Sequence, residues 1–224
     1  MNFERHHSLI LFVLAFAVIS GLSAWGYLYQ RQTHFTAGTN PILSEKPAVL
    51  PAPVLPPIRV SDPIRGSDAA NSVVIVEFGD YFTGETRALE VELKKVLSEQ
   101  RVPVRLVWRD YYSASDQPGY AMAALAAHCA GEQGKFWDMH DALFTETTLD
   151  YTTFTQLASD MIGDYHKFDT CLSSGKYLKT IGSDVALEEM NNIVRSPTLF
   201  INGKAYVGYQ TADKINTLIY SASQ

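Results

Sequence analysis

The sequence predicts an α/β domain in which a strand–helix–strand half and a strand–strand–helix half flank a block of helices, all set behind an N-terminal transmembrane helix. Three observations predict it. Two β-branched runs, Val73–Phe78 and Val102–Trp108, bracket a stretch with helical spacing. Asn202-Gly203, a strong two-residue hairpin signal, separates two further apolar runs near the C-terminus. The segment from Ser8 to Tyr29 carries no charged residue.

That segment follows a short tail, residues 1–7, and at 1.5 Å per residue is long enough to cross a hydrocarbon core of about 30 Å. A cleaved signal peptide is the competing reading, since Leu9–Ile19 would serve as its apolar region and Ser20–Ala24 supplies small residues. The apolar run continues past Ala24, however, and Trp25, Tyr27 and Tyr29 suit an interfacial aromatic belt. Glu4, Arg5 and Arg31 barely bias the orientation. A short tail followed by a long translocated domain is the expected arrangement, which puts the domain on the extracytoplasmic side of a cell membrane. Residues 30–60 form a proline-rich linker: seven of the ten prolines fall between Gln30 and Pro63, which makes a semi-extended tether.

The folded domain is expected over 61–224. After the first strand, Leu89, Leu93, Val96 and Leu97 mark a helix over Thr86–Gln100, and strand–helix–strand order implies a right-handed parallel crossover. Helical stretches follow at Tyr120–Ala130, Lys135–Phe144, Tyr151–Ile162 and Lys167–Asn192, the last broken near Gly175, giving a helical insertion over about 115–192. Pro197–Ile201 and Ala205–Val207 form the hairpin, and Thr211–Ser221 closes the chain as a helix.

Composition narrows the function. From Ser61 onward 14 Lys and Arg face 22 Asp and Glu, a net charge of −8 with no basic stripe, so nucleic acid is not an expected partner. The two cysteines, Cys129 and Cys171, lack neighbours at zinc-ligand spacing. In an exported domain they would form one disulfide, and in a cytosolic one two ordinary buried thiols. His128, Glu132 and His140 are read as scattered polar positions on exposed helix faces, so neither a metal nor a cofactor is expected.

Several segments in the right order carry a resemblance: Asp62-Pro63-Ile64-Arg65-Gly66, VVIVEFGDY over Val73–Tyr81, AMAALAAHCAGEQGKFWDMHDALF over Ala121–Phe144, and SPTLFINGK over Ser196–Lys204. Together they resemble the DsbA-like thioredoxin-fold oxidoreductases over almost all of Asp62–Gln224. The resemblance implies a thioredoxin fold with a helical insertion, a cis-proline loop at Ser196-Pro197, a buried acid at Glu77, and a disulfide between Cys129 and Cys171. Strand alternation pointing Glu77 to solvent is the rival placement.

The departure falls where that family carries its chemistry. In place of Cys-Pro-x-Cys stands Thr83-Gly84-Glu85-Thr86, and a threonine hydroxyl neither forms a disulfide nor ionises near neutral pH. These four residues suit a helix start instead, with Thr83 as cap, Gly84 in the turn and Glu85 at the positive end of the helix dipole. A hydroxyl nucleophile would need a base, and no His stands at a recognisable spacing. The expected function is therefore a membrane-anchored module that binds extended peptide or an envelope protein in the groove beside Ser196-Pro197. Thiol–disulfide exchange through Cys129 and Cys171 or a partner's cysteines, and a structural subunit of an envelope complex, are the alternatives.

Overall fold

The computed structural model describes residues 57–99, 102–112 and 118–224. The tail 1–7, the predicted membrane segment 8–29 and the linker as far as residue 56 lie outside the described residues. Among the described residues no helix is long and apolar enough to cross a membrane.

Five strands form one sheet: β1 (Ile64–Gly66), β2 (Val73–Gly79), β3 (Val104–Asp110), β4 (Thr198–Ile201) and β5 (Lys204–Val207), in the order β1-β3-β2-β4-β5. β2 and β3 run parallel in the register Val73↔Val104 to Gly79↔Asp110, joined through α1 (Gly84–Glu99). β4 lies antiparallel to β2, with Phe78 opposite Thr198, and hairpins into β5 through Asn202 and Gly203 at φ 43° and 86°. Those paired positive values are what an Asn-Gly turn supplies.

Two boundaries differ from expectation for physical reasons. β3 starts two residues later than its apolar run, because Pro103 has no N–H and contributes only its carbonyl, which accepts from Val73 N–H at 2.8 Å. It then continues through Arg109 and Asp110, whose charges are balanced inside the fold. β1 is not among the expected strands, since three residues, Ile-Arg-Gly, are too few to show a period of two.

Alternation along the strands divides the sheet's surroundings. Val73, Ile75, Leu106, Leu199 and Ile201 face α1, through Leu89, Leu93 and Val96, and α7 (Ala212–Ala222), through Ile215 and Ile219. Full burial of each such aliphatic side chain contributes about 1.5–3 kcal/mol. Val76, Phe78, Val107 and Phe200 form the opposite cluster, against which Ile58 and Leu187 pack. Ile58 thus belongs to the packed domain, although the sequence reading left it in the linker.

The helical block consists of α2 (Pro118–Gly131), α3 (Phe136–Leu143), α4 (Tyr151–Met161), α5 (Tyr165–Ser174) and α6 (Leu178–Met190). Asp150 caps α4 by accepting from Thr153 N–H at 2.8 Å, and Asp164 caps α5 by accepting from Lys167 N–H at 3.0 Å. The expected break near Gly175 is the C-terminal cap of α5, in the left-handed region at φ 65°. A disulfide between Cys129 on α2 and Cys171 on α5, Cα atoms 5.7 Å apart, closes the block around Leu125, Met139, Phe154 and Phe168.

Candidate functional site

The C-terminal end of β2 delivers the chain to the site. Gly79 is required there, because a Cβ would lie 2.5 Å from the Trp108 ring. Asp80 Oδ1 then accepts from the N–H groups of Phe82 and Thr83 at 2.8 and 2.7 Å, a local turn that aims the chain into α1. Thr83 accepts in turn from Thr86 N–H at 3.4 Å through its hydroxyl and from Arg87 N–H at 3.2 Å through its carbonyl, capping the helix.

Three hydroxyls bridge α1 to the loop before β4. Thr83 Oγ1 lies 2.7 Å from Thr86 Oγ1, which lies 2.8 Å from Ser196 Oγ, and the last also accepts from Asp80 N–H at 3.0 Å. Thr86 and Ser196 are buried, and the Ser196-Pro197 bond is cis. Thr83, Thr86, Ser196 and Pro197 are thereby brought together. Among the described residues no imidazole or carboxylate accepts from any of the three hydroxyls.

Beside this bridge lies an open groove of about 510 Å³ lined by Gly84, Glu85, Ala88, Arg195, Val207, Gly208 and Tyr209. Arg195 Nη2 donates to both Glu85 oxygens across its mouth. Pro197 C=O is taken by Gly208 N–H at 2.8 Å, whereas the Ser196 backbone N–H and C=O bond no described group. Ser196 is buried and is not among the residues lining the groove; its neighbour Arg195 is.

Beneath the bridge sits a buried acid pair. Alternation turns Glu77 away from solvent toward α1, where its carboxyl is fully buried and neither oxygen accepts a bond from a described group. Burial, reinforced by neighbouring Glu90, pushes Glu77 well above the usual carboxylate range. Burial also works to raise Glu90, but His140 and Arg65 override it and hold Glu90 at about 2. Burial thus favours the neutral form of Glu77, while His140 and Arg65 favour the anionic form of Glu90. Arg65 Nη2 donates to Glu90 Oε2 at 2.9 Å, and Tyr81 Oη meets His140 Nδ1 at 2.9 Å.

This corrects the placement of the histidines. His140 is wholly buried between Glu90 and Tyr81, and His128 is buried against Asp110, its Nε2 2.7 Å from Oδ2. Glu132 is ion-paired to Lys176 and Lys167. The sequence signal lay in the helical stripes: Glu90 falls in line with Thr86 and Leu93, and His140 with Phe136 and Leu143. Ligand atoms of Glu90, His140 and Asp141 come within 4.8 Å of one another. Arg65 already binds both carboxylates and Lys94 pairs with Asp141, so the anionic charge a cation would need is neutralised.

A second buried network fastens the lead-in. Arg109 donates to Asp62 at 2.6 Å and to the Pro57 carbonyl at 2.9 Å, while Arg59 pairs with Asp62 and Asp184. Burial raises His128's neutral form in competition with Asp110, which wins and lifts the imidazole above its ordinary value. Burial and then Asp110 push Asp184 up to about 6. This network ties β3 and α6 to residues 57–62.

Residues 59–221 match the sequence model of a family described as Thioredoxin. Among solved structures, the chain is similar to oxidised BdbD from Bacillus subtilis, with 22% identity, a TM-score of 0.64, and coverage of 73% of this chain and 93% of that one. Wolbachia pipientis alpha-DsbA1 is similar at 17% identity and a TM-score of 0.65, over 75% and 94% of the two chains. Among curated proteins, the Na(+)/H(+) antiporter NhaA 3 of Salinispora tropica is 29% identical over 67% of this chain and 23% of its own length. NhaA 1 of Salinispora arenicola gives the same figures, 29%, 67% and 23%, so the chain spans under a quarter of these relatives.

Proposed function

Because the chain belongs to the thioredoxin family, matched from residue 59 to 221, we propose that it is a member in which the sulfur chemistry is gone and the binding groove is kept. The observation that carries this reading is the hydroxyl bridge Thr83–Thr86–Ser196, standing where DsbA-like proteins would hold the Cys-x-x-Cys opposite the cis-proline. A hydroxyl at that place supplies neither a thiolate nor a disulfide. The two cysteines are spent on the bond between α2 and α5, where both are buried, so neither presents a sulfur to the groove.

The occupant is an extended peptide or the exposed strand of an envelope protein, pairing with the Ser196 backbone. The apolar segment 8–29, the proline-rich linker 30–60 and the disulfide support a domain held outside the cytoplasm on a single membrane span. The similarity to proteins named as Na(+)/H(+) antiporters supports a second reading, in which the domain serves as a subunit docked on a membrane transporter.

The test plugs the groove without touching the core. A Cβ on Gly84 meets nothing within 4 Å, so Gly84→Trp puts a ring into the groove from an otherwise tolerant position. Binding of a blocked, extended peptide of alternating valine and threonine should weaken by about tenfold or more, some 1.4 kcal/mol, with an unchanged fold by circular dichroism. Undiminished binding by folded Gly84→Trp protein would move the function off the groove and favour the docked subunit.

A further inference from the structure

Resting on the groove reading above, we propose that Arg195 selects its occupant, and that the preferred peptide carries an acidic side chain in the segment that crosses the groove. Arg195 is the cationic residue among those lining it, the others being Gly84, Glu85, Ala88, Val207, Gly208 and Tyr209. Its pairing with Glu85 uses Nη2 alone: that one nitrogen donates to both carboxylate oxygens. A guanidinium presents five N–H donors in a planar fork, so the donors on Nη1 and Nε are not used by Glu85. Among the described residues no second carboxylate reaches them.

Glu85 completes the device. It lies in the first turn of α1, where the helix dipole favours negative charge, so it remains stabilised when Arg195 swings toward a ligand. Both partners are about half exposed, 52% and 47%, which places their mutual attraction in the weak class of surface pairs. The pair therefore acts as a loose strap across the groove mouth that a carboxylate can share or open. A lysine side chain offered by the peptide would instead meet Arg195 as a like charge. Around the fork, Val207 and Ala88 supply apolar contact, and Tyr209 is fixed by donating to Glu92 Oε1 at 3.0 Å. On the proposed reading the occupant passes Arg195 on its way to the adjoining Ser196 backbone, so the selected carboxylate is an internal side chain.

The experiment uses the full chain in detergent micelles and three acetylated, amidated peptides of alternating valine and threonine that differ only at a central Glu, Gln or Lys. The Glu peptide should bind about tenfold more tightly than the Gln peptide, as for a charge-assisted hydrogen bond, with Lys the weakest. Arg195→Gln should erase the difference between the Glu and Gln peptides, and Arg195→Lys should restore part of it. Glu85→Gln, which removes the strap, should tighten the Glu peptide up to about fivefold. Equal binding of all three peptides, lost in Gly84→Trp, would overturn the selection by Arg195 and leave the groove standing. A preference that survives Arg195→Gln would also overturn it, and failure of all three to bind would remove both the selection and the groove.

Discussion

Replacing Glu77 by Gln should change how stability depends on pH, and the change can be worked from the acid pair. Both carboxyls start from an ordinary value of 4.5; in the fold Glu77 is pushed well above it, by burial and then by Glu90, and Glu90 is held at about 2. For Glu77 the folded value is the raised one, so its contribution is fully present below pH 4.5 and is lost as the pH rises toward the folded value. Throughout that window the folded protein holds one proton more than the unfolded chain, and stability falls by about 1.4 kcal/mol per pH unit. For Glu90 the folded value is depressed, so its contribution is present above 4.5 and lost toward about 2. Gln at position 77 keeps the shape and can still donate to Glu90, but has no proton to lose. Urea denaturation at successive pH values from 5 upward should therefore show the variant gaining on the parent by about 1.4 kcal/mol per unit until the folded value of Glu77 is passed. Groups common to both proteins, among them His128 and Asp184, cancel in that difference. A difference that stays constant from pH 5 upward would show that Glu77 is not raised above its ordinary value and would refute the reasoning.

Two further outcomes test the site and the scaffold. Opening the Cys129–Cys171 bond, which spans a sequence separation of 42, should cost about 4 kcal/mol by the chain-entropy account. Denaturation with and without reductant measures it, and two free thiols in denatured, unreduced protein would defeat the bond itself. The parent should not reduce insulin above a buffer control, whereas Thr83→Cys with Thr86→Cys should do so, since their hydroxyls already stand 2.7 Å apart at a helix N-terminus. A double variant that keeps both new thiols free under oxidising conditions would show that the bridge geometry does not suit sulfur.

The fold was legible wherever one period ran long enough to be counted. Val73–Phe78, the Leu89–Leu93–Val96 stripe, the Asn202-Gly203 turn and the stop at Gly175 each set a local structure that the packing then kept. β1 was not legible, because its place is fixed by its neighbour: Ile64, Arg65 and Gly66 become a strand by pairing with Val107, Leu106 and Arg105. The docking of Ile58 and Arg59 was hidden for a related reason. Their partners, Phe78 and Asp184 among them, lie far along the chain, and a proline-rich neighbourhood reads as linker until those partners are known.

Polar residues inside apolar stripes were the harder case, and they bear most directly on function. Glu90 and His140 occupy buried stripe positions of α1 and α3, yet composition argues that such groups belong in water unless they are paired. What makes their burial affordable is a set of contacts from three other elements: Arg65 on β1, Glu77 on β2 and Tyr81 in the turn after it. The same set bears on the proposal that hydroxyls stand where the family would hold sulfurs. Glu90 is contacted by Arg65 and His140, independently of Thr83 and Thr86, while the space above is filled by hydroxyls that bond one another and the Asp80 backbone. The hydroxyl layer is thus satisfied among its own members, whereas the Glu77 carboxyl beneath it is buried without a hydrogen-bond partner among the described residues.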